Sequence, residues 1–264
     1  ARIPTLIGAL DEDMNGGLAV GELGVVVAPP GGGKSQFLVW VGQAALRSEY
    51  LAVHYTLELG ADRVQRRYDA CLTGIPYKEL QHFSGNTARI LQKVHTSVGN
   101  TLIIKEYPTK QAELHDLRKH IEGVKATIGC PDLVIVDYAD LLKSKASGKD
   151  ERRIVLENIY EELRALAQTE GVPVWTASQA NRQALGLQQF GMDKIAESFG
   201  KAMIADIVIT LGQDPVEKEK GEMHVHIAKN RNNVSGRTIK IDTDFTRSRL
   251  IKEVGDIVQI EEVF

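Results

Sequence analysis

Between a short apolar run at 23–27 and an amphipathic run at 36–47 the chain reads Ala28-Pro29-Pro30-Gly31-Gly32-Gly33-Lys34-Ser35, and no other stretch limits its folding as much. Strand, glycine-rich turn, then helix is the setting in which G-x-x-x-x-G-K-S/T wraps a phosphate. Glycines let backbone N–H groups crowd round the anion, and the helix N-terminus adds the positive end of its dipole. Lys34 supplies a full charge for the β- and γ-phosphates, and Ser35 a hydroxyl for Mg2+. The pattern wants Gly at position 28. Ala28 is the least bulky substitute, and Pro29 and Pro30 stiffen the loop behind it. The competing reading is an ordinary turn with a chance Gly-Lys-Ser, and the flanking strand and helix weigh against it. Ala28, Pro29, Pro30, Gly31, Gly32, Gly33, Lys34, Ser35 and Gln36 are therefore the candidate nucleotide-binding residues, with ATP and Mg2+ as the expected ligands.

The rest of the chain repeats the alternation. Strands are expected at 23–28, 51–56, 101–105, 133–136, 172–176 and 207–211, with helices at 34–47, 61–73, 87–98, 111–121 and 153–169. Residues 222–229 and 237–242 read as an antiparallel pair around a turn at 233–236. Residues 182–201 read as a loop with a short helix, and 1–22 as an irregular lead-in punctuated by Gly16, Gly17 and Gly21. Several strands are apolar nearly throughout, as strands covered on both faces are. The fold class is thus α/β: a mostly parallel central sheet flanked by helices, with a C-terminal antiparallel extension. At 264 residues and 43% hydrophobic the chain has material for one large core, and a single domain over 1–264 is the economical expectation. The tail 253–264 holds four acids and no bases; it suits an edge strand better than a docking peptide. A net charge of −3 excludes a global basic footprint, so any nucleic-acid site must be local. Two cysteines make no disulfide framework, and neither a signal peptide nor a membrane span is visible, so a cytoplasmic location is expected. The chain opens on Ala1 rather than Met, as a processed or excised piece would.

Other candidates cluster at strand ends, where open α/β sheets bind ligands. Asp137 ends the strand 133–136; beside a phosphate loop it reads as a Mg2+ carboxylate, ahead of a surface Asp opening a turn. Glu58, just past 51–56, either polarises an attacking water or merely starts a loop, and its position does not separate the two. Gln179, past 172–176, can hydrogen-bond a γ-phosphate, although a polar loop residue is the plainer reading. Lys229 and Arg231 could contact a phosphate or form a solvated turn, and the turn is the plainer choice. In the stretch 143–153 five cations (Lys143, Lys145, Lys149, Arg152, Arg153) face two acids, which fits either a backbone-phosphate grip or a charged surface loop.

Together these residues resemble the RecA-type ATPase core of DnaB-type hexameric replicative helicases, including the phage ones. Thr56-Leu57-Glu58-Leu59 is similar to the family's Ser-Leu-Glu-Met, and Ile135-Val136-Asp137-Tyr138 to its Ile-Asp-Tyr. Ser178-Gln179-Ala180-Asn181-Arg182 is similar to its Ser-Gln-Leu-Asn-Arg, and Ala228-Lys229-Asn230-Arg231-Asn232 to its Ala-Lys-x-Arg-Asn. Residues 195–206 also resemble the stretch between the last two motifs. The likeness runs in order from about residue 5 to 250. It implies a RecA-like P-loop NTPase that hydrolyses ATP and moves along single-stranded DNA as a ring, expected to be a hexamer, during replication. It implies that Glu58 is the catalytic base, that Lys34 and Gln179 read the phosphates, and that Ser35 and Asp137 hold the metal. Lys229 and Arg231 would reach into the neighbouring subunit's site. Loops 143–150 and 183–201 would line a channel, so Lys143, Lys145, Lys149, Arg182, Lys194 and Lys201 become candidates for DNA contact. The partners it implies are further copies of the chain and a primase, polymerase or helicase loader, in a bacterial or phage-infected cell. The sequence departs from the pattern at Ala28 and at Ala196, where the family often has Arg, and the family's N-terminal domain and linker helix are not in it. A RecA/RadA- or KaiC-like ATPase that binds DNA or a protein without unwinding is the alternative, and a nucleotide-binding assembly module without turnover a third.

Overall fold

Strands that are apolar nearly throughout call for a sheet covered on both faces, and the chain builds one. The computed structural model describes residues 1–81, 85–98, 102–143, 149–195 and 199–252. The first elements are β1 (Arg2–Ile3), α1 (Gly8–Asp13), β2 (Leu18–Ala19), β3 (Leu23–Ala28), α2 (Lys34–Arg47), β4 (Ala52–Thr56) and α3 (Ala61–Thr73). Then come α4 (Gly85–Val98), β5 (Leu102–Glu106), α5 (Leu114–Thr127), β6 (Leu133–Asp137), α6 (Lys149–Glu170) and β7 (Val174–Gln179). The last are α7 (Phe199–Ile204), β8 (Ile207–Gly212), α8 (Pro215–Lys220), β9 (Glu222–Asn230) and β10 (Thr238–Asp242). The main sheet has eight strands in the order β10-β9-β8-β3-β7-β6-β4-β5. Every pairing from β8 to β5 is parallel, while β9 runs antiparallel to β8 and to β10. This is the expected parallel sheet with its antiparallel extension.

Alternate side chains feed two cores. Trp175, Phe37 and Trp40 pack on one face with α2 and α3, while Val174, Ile121 and Leu163 pack on the other with α5 and α6. Gly24 is glycine because its register partner is Trp175: a Cβ there would lie 2.5 Å from the indole. The parallel register also sets the site. Ala28 pairs with Gln179 and Thr56 with Asp137, so the exits of β3, β7, β6 and β4 share one edge. Strand β4 adjoins β6 and not β3, so Glu58 faces the phosphate loop across two intervening strands.

The lead-in is more ordered than its glycines suggest. Ile3, Ile7, Leu10, Met14 and Leu18 are all buried, spaced three or four apart, and α1 and the β1–β2 pair form around them. Trp40 Nε1 donates to the Thr5 carbonyl at 2.7 Å, tying the lead-in to α2. Helix α8 is a further element beyond the expected set, although Asp214-Pro215-Val216-Glu217 carries its start signal. Asp214 caps the Glu217 N–H at 2.8 Å, and Glu217 returns the bond to the Asp214 N–H at 3.0 Å. The tail 253–264 lies outside the described residues.

His54, on β4, is fully buried with Nδ1 2.9 Å from the Tyr68 hydroxyl, and burial pushes its pKa from 6.5 down to about 3. Between those values the unfolded chain binds the extra proton and the folded chain does not. Stability is therefore retained above about pH 6.5 and lost as pH falls toward 3, by up to about 1.4 kcal/mol per unit for this one proton. Denaturant unfolding of the His54→Asn protein beside the native one, from pH 4 to 8, should show a stability difference that shifts in favour of the variant as pH drops. A difference that does not vary with pH would mean that His54 does not titrate with unfolding.

Candidate functional site

Ala28 ends β3 in ordinary extended backbone, so the Gly preferred at that position is not needed there. The loop's conformational demands fall elsewhere. Gly31 and Gly33 have φ of 69° and 92°, in the left-handed region that favours glycine. Gly32 is excluded from larger residues by space: a Cβ would meet the Pro29 carbonyl oxygen at 2.9 Å and the Ala28 Cβ at 3.0 Å. Helix α2 starts at Lys34, so its free N–H groups face the loop's concavity. Lys34 Nζ reaches back toward the Ala28 and Pro29 carbonyls at 3.3 and 3.4 Å. Burial lowers the Lys34 pKa, and the charges of Glu58, Asp137 and Asp140 oppose that shift.

These groups line a cleft of about 360 Å³ that also takes in Glu58, Arg67, Tyr138, Gln179 and Phe245. Asp137 lies behind it, 1% exposed. Burial raises its carboxyl to about 6, while a hydrogen bond from Ser35 pulls the other way. Its Oδ1 has no hydrogen-bond partner among the described residues. A buried carboxylate oxygen without a donor, beside a hydroxyl at a phosphate loop, is a donor set that fits a hard divalent cation such as Mg2+. Among the described residues no group of three or more His, Cys, Asp or Glu could hold a metal, so phosphates and water would supply most of the ligands.

Two features of the cleft have no counterpart among the sequence motifs. Arg67, on α3, lines it and acts electrostatically on Asp137. It stands nine residues past Glu58, a distance at which only a helix beginning just after the motif brings it back. A second recess of about 760 Å³ adjoins the first, sharing Gln36, Leu59, Arg67 and Phe245 and adding Tyr77 and Arg66. Phe245 reaches the loop itself, with a ring atom 3.2 Å from where a Gly33 Cβ would be.

Lys229 and Arg231 lie elsewhere. Strand β9 runs antiparallel, and Asn230 pairs with Ile207, which is level with Gly24 at the start of β3. Roughly 15 Å of strand separates them from their own phosphate loop. Lys229 Nζ donates to the Ala202, Met203 and Ala205 carbonyls at 3.0, 2.6 and 2.7 Å, satisfying the C-terminal end of α7. Arg231 pairs with buried Asp206 at 3.1 Å and is 39% exposed. Arg164 holds Asp206 from the other side through two hydrogen bonds, each 3.1 Å.

The residues expected at DNA divide. Arg182 is exposed on a turn, and Lys194 pairs with Asp193 at 3.1 Å. Lys143 is half-exposed and pairs with Glu113 at 2.7 Å. Lys149 opens α6, while Lys145 and residues 196–198 lie outside the described residues. Lys201 has to be removed from the set. It is 1% exposed, its ammonium 2.8 Å from Asp140 Oδ2, and a buried paired cation offers nothing to a backbone phosphate.

The chain resembles known proteins over most of its length. The family model described as DnaB-like helicase C terminal domain matches residues 2–250. The DnaB-like replicative helicase of Enterobacteria phage T4 is 27% identical over 230 residues, covering 80% of this chain and 46% of that protein. The replicative DNA helicase DnaB of Haemophilus influenzae is 28% identical over 247 residues, covering 88% of this chain and 52% of that protein. The chain spans about half the length of the curated relatives it matches. Among solved structures, one isolated ATPase domain superposes with a TM-score of 0.83 at 20% identity, covering 96% of this chain and 92% of that one. A DnaB-like replicative helicase studied for its interactions with primase gives 0.83 at 19% identity, covering 95% of this chain and 62% of that one. These likenesses show the fold, a RecA-like core with a mostly parallel sheet flanked by helices.

The loop geometry separates two substitutions that look alike in sequence. Ala28→Gly should leave the affinity for a fluorescent ATP analogue within about threefold, whereas Gly32→Ala should weaken it at least about tenfold with the fold intact by circular dichroism, because backbone must move. Equal affinities for the two variants would mean that the glycines do not shape the phosphate site.

Proposed function

The chain belongs to the DnaB-like helicase C-terminal domain family, and from that premise we propose that it is the ATP-hydrolysing motor of a replicative DNA helicase. It travels on single-stranded DNA as part of a homo-oligomeric ring, a hexamer. The observation that carries this reading is the split between the two sheet edges. Lys34, Glu58 and Gln179 share one cleft, while Arg231 stands at the opposite edge and cannot reach it within one chain.

In this reading the loop N–H groups and Lys34 hold the phosphates, and Gln179 contacts the γ-phosphate through its amide. Glu58 is exposed in the cleft, where it orients and deprotonates the attacking water. Ser35 and Asp137 hold Mg2+, which when bound offsets phosphate charge. Arg67 supplies a cation from the same chain, and the adjoining recess with Tyr77 and Phe245 takes the base and ribose. Charge developing on the γ-phosphoryl still needs a donor opposite the loop. Arg231 supplies it to the next subunit, exchanging its exposed pairing with Asp206 for a phosphate. DNA contact falls to Lys143, Arg182 and Lys194, with Lys145 and Lys149 beside them in sequence. The structural relative studied with primase makes a primase the first partner to test. No described helix is long and apolar enough to cross a membrane, in keeping with action on DNA inside a bacterial or phage-infected cell.

Lys34→Ala should abolish nucleotide binding or turnover. Glu58→Gln should bind normally and hydrolyse roughly a hundredfold more slowly. Arg231→Ala should bind normally and hydrolyse roughly a thousandfold more slowly; the fold should survive because Arg164 still neutralises Asp206. Mixing the Arg231→Ala and Lys34→Ala proteins should recover part of the DNA-stimulated ATPase rate, with mixed rings verified by native mass spectrometry. A wild-type rate from Arg231→Ala alone would remove the trans role and, with it, the main support for a ring.

A further inference from the structure

Lys201 and Asp140 form a buried ion pair that lies outside the lining of the nucleotide cleft. Asp140 follows Asp137 by three residues, on the turn Ala139–Leu141. Its Oδ2 accepts from Lys201 Nζ at 2.8 Å, and its Oδ1 lies 2.9 Å from the Tyr160 hydroxyl. The same hydroxyl is 3.0 Å from the Ala177 carbonyl on β7, so one proton serves two acceptors on adjacent strands' segments. The Lys201 ammonium also sits 5.6 Å from the centre of the Tyr160 ring. Stability alone does not call for such a pair. Well-packed apolar residues of the same volume usually do as well or better, while removing a single partner strands a buried charge. The pair ties the turn after β6 to helix α7.

What α7 carries at its other end gives that constraint a purpose. Its last carbonyls accept from Lys229, and the Met203 carbonyl also takes Arg231 Nη2 at 3.3 Å. Asp206, two residues beyond α7, holds Arg231 Nη1 at 3.1 Å. A connected path thus runs from Asp137 along three residues of backbone to Asp140, and from there through Lys201 and α7 to Arg231. We propose that Lys201 and Asp140 are positioning residues that relay the state of a subunit's own nucleotide cleft, through α7, to the Arg231 it presents to its neighbour. This deepens the ring reading above and rests on it. No bond is made or broken in the relay; it shifts the balance between two packings of α7.

The test compares Lys201→Met, Asp140→Asn and the double variant as full chains in assembled rings. Each single variant should keep ring assembly and nucleotide affinity within about threefold while kcat falls at least about tenfold. The double variant, with no stranded charge, should regain the melting temperature lost by the singles but not kcat. Doping native rings with Lys34→Ala subunits should cut activity more steeply than in proportion to the poisoned fraction. Doping rings of the double variant with double-variant subunits that also carry Lys34→Ala should cut its residual activity only in proportion. Recovery of kcat together with melting temperature in the double variant would make the pair merely structural and overturn the proposal. So would a kcat unchanged in both singles, or equally steep doping curves. A wild-type rate from Arg231→Ala would instead overturn the ring reading beneath it, and the two failures are read from different proteins.

Discussion

Parallel hydrogen-bond register is the constraint on which the rest of this structure depends. Pairing Ala28 with Gln179 and Thr56 with Asp137 brings four strand exits to the same edge of the sheet. A slip of one residue would turn every side chain of a strand to the opposite face. The fit of particular side chains, such as Trp175 over Gly24, opposes that slip, so packing and site geometry are set by the same register. Burial then sets the electrostatics. Desolvation acts against charge on both Lys34 and Asp137, and each is restrained by groups of the other sign or by a hydroxyl. The cleft thus holds poorly solvated charges already aimed at where a charged ligand would lie.

Much of this is legible in the sequence because the signals are local. The stretch from Leu23 to Arg47 carries its strand, turn and helix within itself, and the structure starts α2 at Lys34 as the pattern requires. The antiparallel pair is legible for the same reason, through alternation on each side of a glycine-bearing turn. What the sequence hides is contact at long range. Arg67 looks like any helical arginine until α3 is packed against the phosphate loop. Lys201, surrounded by small and apolar neighbours, looks like a channel lysine until Asp140 is found beneath it. Neither position has a local pattern that would assign it.

The lead-in shows a different kind of illegibility. Its glycines are real turn signals, yet Ile3, Ile7, Leu10, Met14 and Leu18 also keep a helical spacing that those glycines outweigh on a first reading. Its polar groups engage the far edge of the sheet. The Asn230 and Asn233 side chains donate to the Asp13 carbonyl at 2.9 and 3.0 Å, and Arg237 pairs with the Asp13 carboxylate at 3.1 Å. The turn that bears Arg231 is therefore stiffened from outside the sheet. In the proposed trans role such support would reduce the freedom that Arg231 loses on contact.

The close approach of Gly24 to Trp175 has an optical consequence. Trp175 and Trp40 are the chain's two indoles, and both are buried, Trp175 with its ring edge-on to Phe37 at 5.2 Å. Trp40 stands six residues beyond Lys34 on the helix that starts at the phosphate loop, and Trp175 four residues before Gln179 on the strand that ends there. All of the molecule's tryptophan emission thus originates from the two elements that a nucleotide would touch first. Both indoles stand on the helix and the strand that lead to the cleft, where their emission can be followed without an added dye.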